Sequence, residues 1–162
     1  MRKTLLLLAT TAAVALLVAS GVALAATIDC TGGTCTGTQS QDTLFGSPRV
    51  DNEFGLGGGD LMYGYESADQ MSGDIGADRM YGGLAADTVN GEGGPDAVYG
   101  GPGDDAVNGG PGNDTLSADL GDDVIQAVDD QKDQINCAGG RDKVYFDRGL
   151  DELRRCENLN PR

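Results

Sequence analysis

Histidine and tryptophan are both absent from the 162 residues, which also hold only three phenylalanines and five tyrosines. Without histidine there is no histidine-based zinc motif, no serine–histidine triad and no imidazole general base. Large apolar rings are too few, and the 27 glycines too many, for an ordinary hydrophobic core to offset the entropy of ordering the chain. Positive charge is scarce as well: 11 lysines and arginines stand against 26 aspartates and glutamates, a formal net charge of −15. Such a chain repels nucleic acid and anionic membrane surfaces. It is either disordered or ordered by something other than a core, and cations are the obvious partners.

The first residues have a different character from the rest. Arg2 and Lys3 precede an apolar run from Leu5 to Leu24, and Ala23 and Ala25 form a small-residue cleavage pattern. Residues 1–26 therefore read as a Sec-type secretory signal peptide. An uncleaved anchor is the alternative, since the run is about as long as a bilayer is thick, although Thr10, Thr11, Ser20 and Gly21 dilute it. Thr27, Ile28 and Asp29 do not form a lipidation signal before Cys30. Removal of Arg2 and Lys3 would leave nine basic against 26 acidic residues, a net charge of −17. The expected location is outside the cell, where the four cysteines, two on each side of the glycine-rich centre, are expected to form disulfides.

Through the centre, aspartate returns every nine residues, at 42, 51, 60, 69, 78, 87, 96, 105, 114 and 123. Two residues after each stands Leu44, Glu53, Met62, Met71, Met80, Val89, Val98, Val107, Leu116 or Ile125. Glycine follows four residues after the aspartate from Gly46 to Gly109, and Ala118 and Ala127 close that series. Each unit reads as a glycine-bearing turn, an aspartate and a three-residue strand with one inward side chain between two outward ones. After one inserted residue the beat resumes at Asp133, Asp142 and Asp151, each again two residues before an apolar side chain, Ile135, Val144 or Leu153.

The fullest units are Gly100-Gly101-Pro102-Gly103-Asp104-Asp105-Ala106-Val107-Asn108 and Gly109-Gly110-Pro111-Gly112-Asn113-Asp114-Thr115-Leu116-Ser117. This pattern resembles the RTX, or haemolysin-type, calcium-binding nonapeptide repeat, G-G-x-G-x-D-x-U-x. The resemblance implies an all-β fold, a right-handed parallel β-roll in which two nonapeptides make one coil, hence about five coils over residues 37–126. Residues 27–36 are then an N-terminal cap, and residues 127–162, which hold seven of the nine basic residues outside the signal, a C-terminal cap that continues the register. Members of this family are often the tail of a larger toxin, protease or lipase, for which this chain has no room. Paired carboxylates are the one glycosidase-like resource left, and the repeat explains their spacing without catalysis. No enzymatic activity is expected.

The resemblance further implies Ca²⁺ between turns, held by aspartates eighteen residues apart and by turn carbonyls; calcium takes six to eight oxygens. The edge bearing Asp60, Asp78, Asp96 and Asp114 has glycine two residues earlier every time, at Gly58, Gly76, Gly94 and Gly112. The opposite edge has Arg49, Ser67 and Ala85 before Asp51, Asp69 and Asp87, and regains glycine at Gly103 and Gly121, before Asp105 and Asp123. The expected ligands are therefore Asp60, Asp78, Asp96, Asp105, Asp114 and Asp123 with the backbone of those six glycines. Arg49 is expected to replace an ion in the ladder or to pair with the inward Glu53. The competing reading of any of these aspartates is a turn cap bonded only to backbone.

In a roll, Cys137 and Cys156 occupy nearly the same corner one coil apart, and Cys30 and Cys35 are close in sequence. Four cysteines allow three pairings; Cys30–Cys35 and Cys137–Cys156 are the favoured ones, with a zinc site the alternative. Phe45, Tyr63, Tyr81 and Tyr99 are expected in an outward row that ends at Ser117, either stacking for stability or offering a strip to a glycan or protein. A surface or adhesion module and a non-catalytic, toxin-like effector are the alternative roles.

Overall fold

The computed structural model describes residues 24–161, so the signal assigned to residues 1–26 lies almost wholly outside the described residues. Two long sheets run the length of the molecule, each of eight parallel strands. The first holds Thr27–Asp29, Thr43–Phe45, Leu61–Tyr65, Arg79–Gly83, Ala97–Pro102, Thr115–Leu120, Gln134–Asn136 and Glu152–Arg154, in that order. The second holds Gly33–Thr36, Asp51–Phe54, Gln70–Ser72, Thr88–Asn90, Ala106–Asn108, Val124–Ala127, Lys143–Phe146 and Asn158–Pro161. The chain alternates between them, so each turn of the solenoid contributes one strand to each sheet. A third pair, Gly57–Gly58 with Ile75–Gly76, lies where the chain passes between sheets. Among the described residues there is no helix.

Strand alternation and the nonapeptide beat together fix the register. Leu44 lies beside Met62, Met62 beside Met80, Met80 beside Val98 and Val98 beside Leu116. The second sheet stacks Met71, Val89, Val107 and Ile125 likewise. All of these are buried, and the core is two facing files of single side chains. A slip of one residue would turn every one of them outward. Two inward side chains per turn make a thin core, so apolar burial alone does not order the roll.

The roll extends to about eight turns, because the segments expected as caps are built from the same strands. At the N-terminus, Thr27–Asp29 and Gly33–Thr36 already pair with the first repeats. At the C-terminus the inserted residue is absorbed between strands, and the step becomes nineteen where Leu116 meets Ile135 and Ile125 meets Val144. Both favoured disulfides are present. Cys30–Cys35 spans the first turn with a Cα–Cα distance of 5.7 Å, and Cys137–Cys156 joins successive turns with 5.1 Å. The ends of the solenoid, which lack a neighbouring turn, are thus the places that are cross-linked.

Candidate metal centre

The nine-residue spacing places the aspartates in two columns, one at the entry to each sheet. One column holds Asp42, Asp60, Asp78, Asp96, Asp114, Asp133 and Asp151; the other holds Asp51, Asp69, Asp87, Asp105, Asp123 and Asp142. Within each column Oδ1 of one aspartate accepts the backbone N–H of the aspartate one turn earlier. The bond measures 2.7 Å from Asp60 to Asp78 and 2.8 Å from Asp78 to Asp96, Asp87 to Asp105 and Asp96 to Asp114. The aspartate carbonyl meanwhile accepts an N–H from the next turn, as Asp60 does from Arg79 and Asp78 from Ala97. Oδ1 therefore serves as the acceptor that prolongs the backbone ladder, and the turn-capping reading of these residues accounts for half of each carboxylate.

The other half has no partner. Oδ2 is buried and unbonded at Asp60, Asp69, Asp78, Asp87, Asp96, Asp105, Asp114, Asp123 and Asp133. A buried carboxylate oxygen without a donor carries the desolvation cost of an ionised group uncompensated. Repetition every turn excludes an isolated packing accident. Burial pushes Asp60, Asp69, Asp105 and Asp114 up to about 6, and Asp87, Asp96, Asp123 and Asp133 up to about 7, while the backbone hydrogen bond opposes the rise. Neighbouring carboxylates raise them further, and Asp78 is raised by the same burial.

Glycine contributes in two ways. Those four residues after an aspartate, such as Gly73, Gly82 and Gly91, have no left-handed backbone angle. Glycine is needed there for space: a Cβ on Gly82 would stand 2.6 Å from Asp87 Oδ2 and 2.7 Å from the Gly100 carbonyl. The glycines two residues before an aspartate form columns of carbonyls along the roll. The carbonyls of Gly58, Gly76, Gly94, Gly103 and Gly121 point at the next turn, where a Cβ on Gly76, Gly94, Gly112, Gly121 and Gly140 respectively would stand. Gly58, Gly94 and Gly121 also take φ of 115°, 133° and 149°, where an L side chain is strained.

These oxygens fit a hard divalent cation. Among the described residues no three acidic or cysteine side chains gather around one point, so an ion at any step would draw on two stacked carboxylates and on turn carbonyls. Calcium accepts that mixture, and two carboxylates balance its charge. A soft or strongly geometric metal would not be served by it.

The six aspartates singled out from the sequence all stand in these columns, and Asp69, Asp87 and Asp133 share the same orphaned oxygen. The carboxylate arrangement is thus alike on both edges, and the inequality between them is confined to the turns. Ala85 takes φ of 81° in place of a glycine and still points its carbonyl at the next turn. Asp51 differs: its Oδ2 accepts the Ser47 N–H at 2.7 Å and the Ser47 hydroxyl at 2.8 Å, and it is its Oδ1 that is buried without a partner. Arg49 neither enters the ladder nor pairs with Glu53. It is exposed, its stem lies against Gly32, and it makes no ion pair among the described residues. Glu53 is instead buried in the inward file between Cys35 and Met71, with Oε2 unbonded. Burial first, and then Asp51, Asp69 and Asp87, raise its carboxyl to about 8. The space-making glycines and Gly140 were visible in the sequence as part of the beat, but their contact with carboxylates and carbonyls of other turns was not.

The outward row forms as expected. Phe45, Tyr63, Tyr81 and Tyr99 stack at centroid distances of 5.5, 5.1 and 4.8 Å with planes within 8° of parallel, and Tyr65 adds a ring 6.2 Å from Tyr63.

Among known protein families, residues 54–89, 81–116 and 90–125 match the RTX calcium-binding nonapeptide repeat. A search among curated proteins finds no match to the chain. With carboxylate columns, glycine turns and parallel coils in the nine-residue register, residues 54–125 of this chain form an array of RTX calcium-binding nonapeptide repeats.

Proposed function

We propose that the protein is an exported, non-catalytic calcium-binding β-roll whose folding is coupled to the calcium found outside cells. The observation that carries this reading is the run of nine buried Oδ2 atoms without a partner, one per half-turn from Asp60 to Asp123 and again at Asp133. At neutral pH those oxygens require either protons or cations, and an ion lodged between turns would satisfy two of them at once. Because the unfolded chain has no such columns, ion binding adds directly to the free energy of folding. Asp60, Asp78, Asp96, Asp105, Asp114 and Asp123 are the ligands we assign, with carbonyls of the glycines two residues before them.

Export is supported by the two disulfides and by the apolar N-terminal run. The absence of histidine and the regular use of the carboxylates in the ladder favour a binding rather than a catalytic role. Isothermal titration of the oxidised protein with calcium tests the assignment. Asp78→Ala combined with Asp96→Ala is expected to lower the stoichiometry, whereas Asp51→Ala, whose second oxygen is already held by Ser47, is expected to leave it unchanged. Equal losses from both would refute the assigned ligands.

A further inference from the structure

The rings of the outward row are face to face, so Tyr63 and Tyr81 are covered on both faces by their neighbours and show only their edges and hydroxyls. The stack has two outer faces, that of Phe45, beside Asp29, and that of Tyr99 toward the C-terminal turns. There the register replaces the next ring with Ser117, then Asn136, then Arg154. Strands repeat at ~4.8 Å, so Tyr99 and Arg154 stand roughly 14 Å apart along the stack, with two rungs lacking a ring between them. A cleft of about 180 Å³ opens at this place, lined by Tyr99, Thr115, Ser117, Gln134, Asn136 and Arg154.

The walls of the cleft differ in chemistry. The Tyr99 face is flat and apolar. The floor is hydroxyl and amide: Ser117 is buried, its Oγ donating to Asp119 Oδ1 at 3.2 Å and accepting from Asn136 Nδ2 at 3.3 Å, and Gln134 stands exposed beside it. Arg154, at the far wall, is exposed and makes no ion pair among the described residues, because the neighbouring Glu152 is held by Lys132. This end of the molecule is close to neutral, whereas the rest is acidic: among the described residues after 131, Lys132, Arg141, Lys143, Arg148, Arg154 and Arg155 stand against six acidic side chains.

We propose that this cleft binds a hexuronate, a pyranose ring bearing a carboxylate, such as a residue of an acidic glycan. Its C–H face stacks on Tyr99, where the row of rings would otherwise continue. Its hydroxyls meet Gln134 and Asn136, and its carboxylate is taken by the Arg154 guanidinium, which suits a carboxylate bidentately. Flat aromatic ligands would use Tyr99 alone and leave the polar floor unused. Anions elsewhere on the roll meet an acidic surface.

Titration of the oxidised, calcium-loaded full chain, followed by NMR shifts or calorimetry, tests this with three probes. Methyl β-glucuronide is expected to bind, methyl β-glucoside about fivefold more weakly for want of the carboxylate, and benzoate more weakly than either. Tyr99→Ala is expected to weaken the glucuronide about tenfold. Arg154→Gln is expected to bring it to the level of the glucoside, and Tyr63→Ala to leave it unchanged. Ser117→Tyr, which puts a ring into the first vacant rung, is expected to abolish binding while the circular-dichroism spectrum stays that of the folded roll. Benzoate binding more tightly than the glucuronide, wild-type affinity in Ser117→Tyr, or a folded sample that ignores the glucuronide would each overturn the proposal. The cleft is independent of the calcium assignment: a chain that folds without taking up calcium and still binds the glucuronide sinks that assignment alone.

Discussion

Each repeat aspartate divides its carboxylate between two tasks. Oδ1 completes the hydrogen-bond ladder at the point where the strand begins, and Oδ2 projects toward the preceding glycine with nothing to accept. The same division explains why glycine recurs four residues after every aspartate in the central repeats. Replacing Gly82 with alanine would force a Cβ against Asp87 Oδ2 and the Gly100 carbonyl, at an expected cost of about 1–3 kcal/mol by chemical denaturation. Gly139→Ala, which meets only a Leu120 methyl at 3.4 Å, is expected to be close to neutral. Glu53 is a fully buried carboxyl that the ladder does not use. Its value, raised to about 8, means that it contributes stability below its ordinary 4.5 and loses it as pH rises through 8. Glu53→Met, matching the Met71 beside it, is expected to raise the thermal midpoint, and to do so more at pH 9 than at pH 6, by removing a buried group worth about 1–3 kcal/mol when unpaired.

At the scale of strands and turns, the nine-residue beat marks one inward position per unit and the outward ring row, because a period of nine with alternation leaves one inward side chain between two outward ones. Leu44, Met62 and Val89 stand in the inward series for that reason, and all are buried. The parallel coil of two units per turn is what the resemblance to the RTX repeat implies. The beat was less informative where it breaks. Residues 27–36 carry no repeat aspartate in register, yet Thr27–Asp29 and Gly33–Thr36 form a full first turn, because parallel pairing needs only an open strand edge beside it. Residues 127–132 hide the insertion, which lengthens one step to nineteen without breaking either column. Local relations, such as Ser47 holding Oδ2 of Asp51 four residues on or Arg49 remaining outside, depend on contacts that no period encodes. The terminal cross-links are predicted to matter locally: Cys137→Ser with Cys156→Ser should cost about 3 kcal/mol. Hydrogen exchange should show faster opening of residues 134–161, with residues 61–109 unchanged, since a solenoid couples chiefly nearest neighbours.

The described molecule is a thin apolar file wrapped in a strongly acidic coil, with 13 of its 26 acidic side chains ordered in two internal columns. In the metal-free protein the raised aspartates favour folding when protonated. Their contribution is full below the ordinary carboxylate range and is lost as pH rises through about 6 for Asp60, Asp69, Asp105 and Asp114 and about 7 for Asp87, Asp96, Asp123 and Asp133. On the proposed reading, calcium would substitute for those protons and carry the fold into the neutral range. The most direct test is far-UV circular dichroism of the oxidised protein across pH 5 to 8, with excess chelator and again with millimolar calcium. The account predicts that the β signature fades between pH 6 and 8 in chelator and persists throughout in calcium. An oxidised, chelated protein that keeps its full β signature at pH 8 and does not respond to added calcium would contradict it.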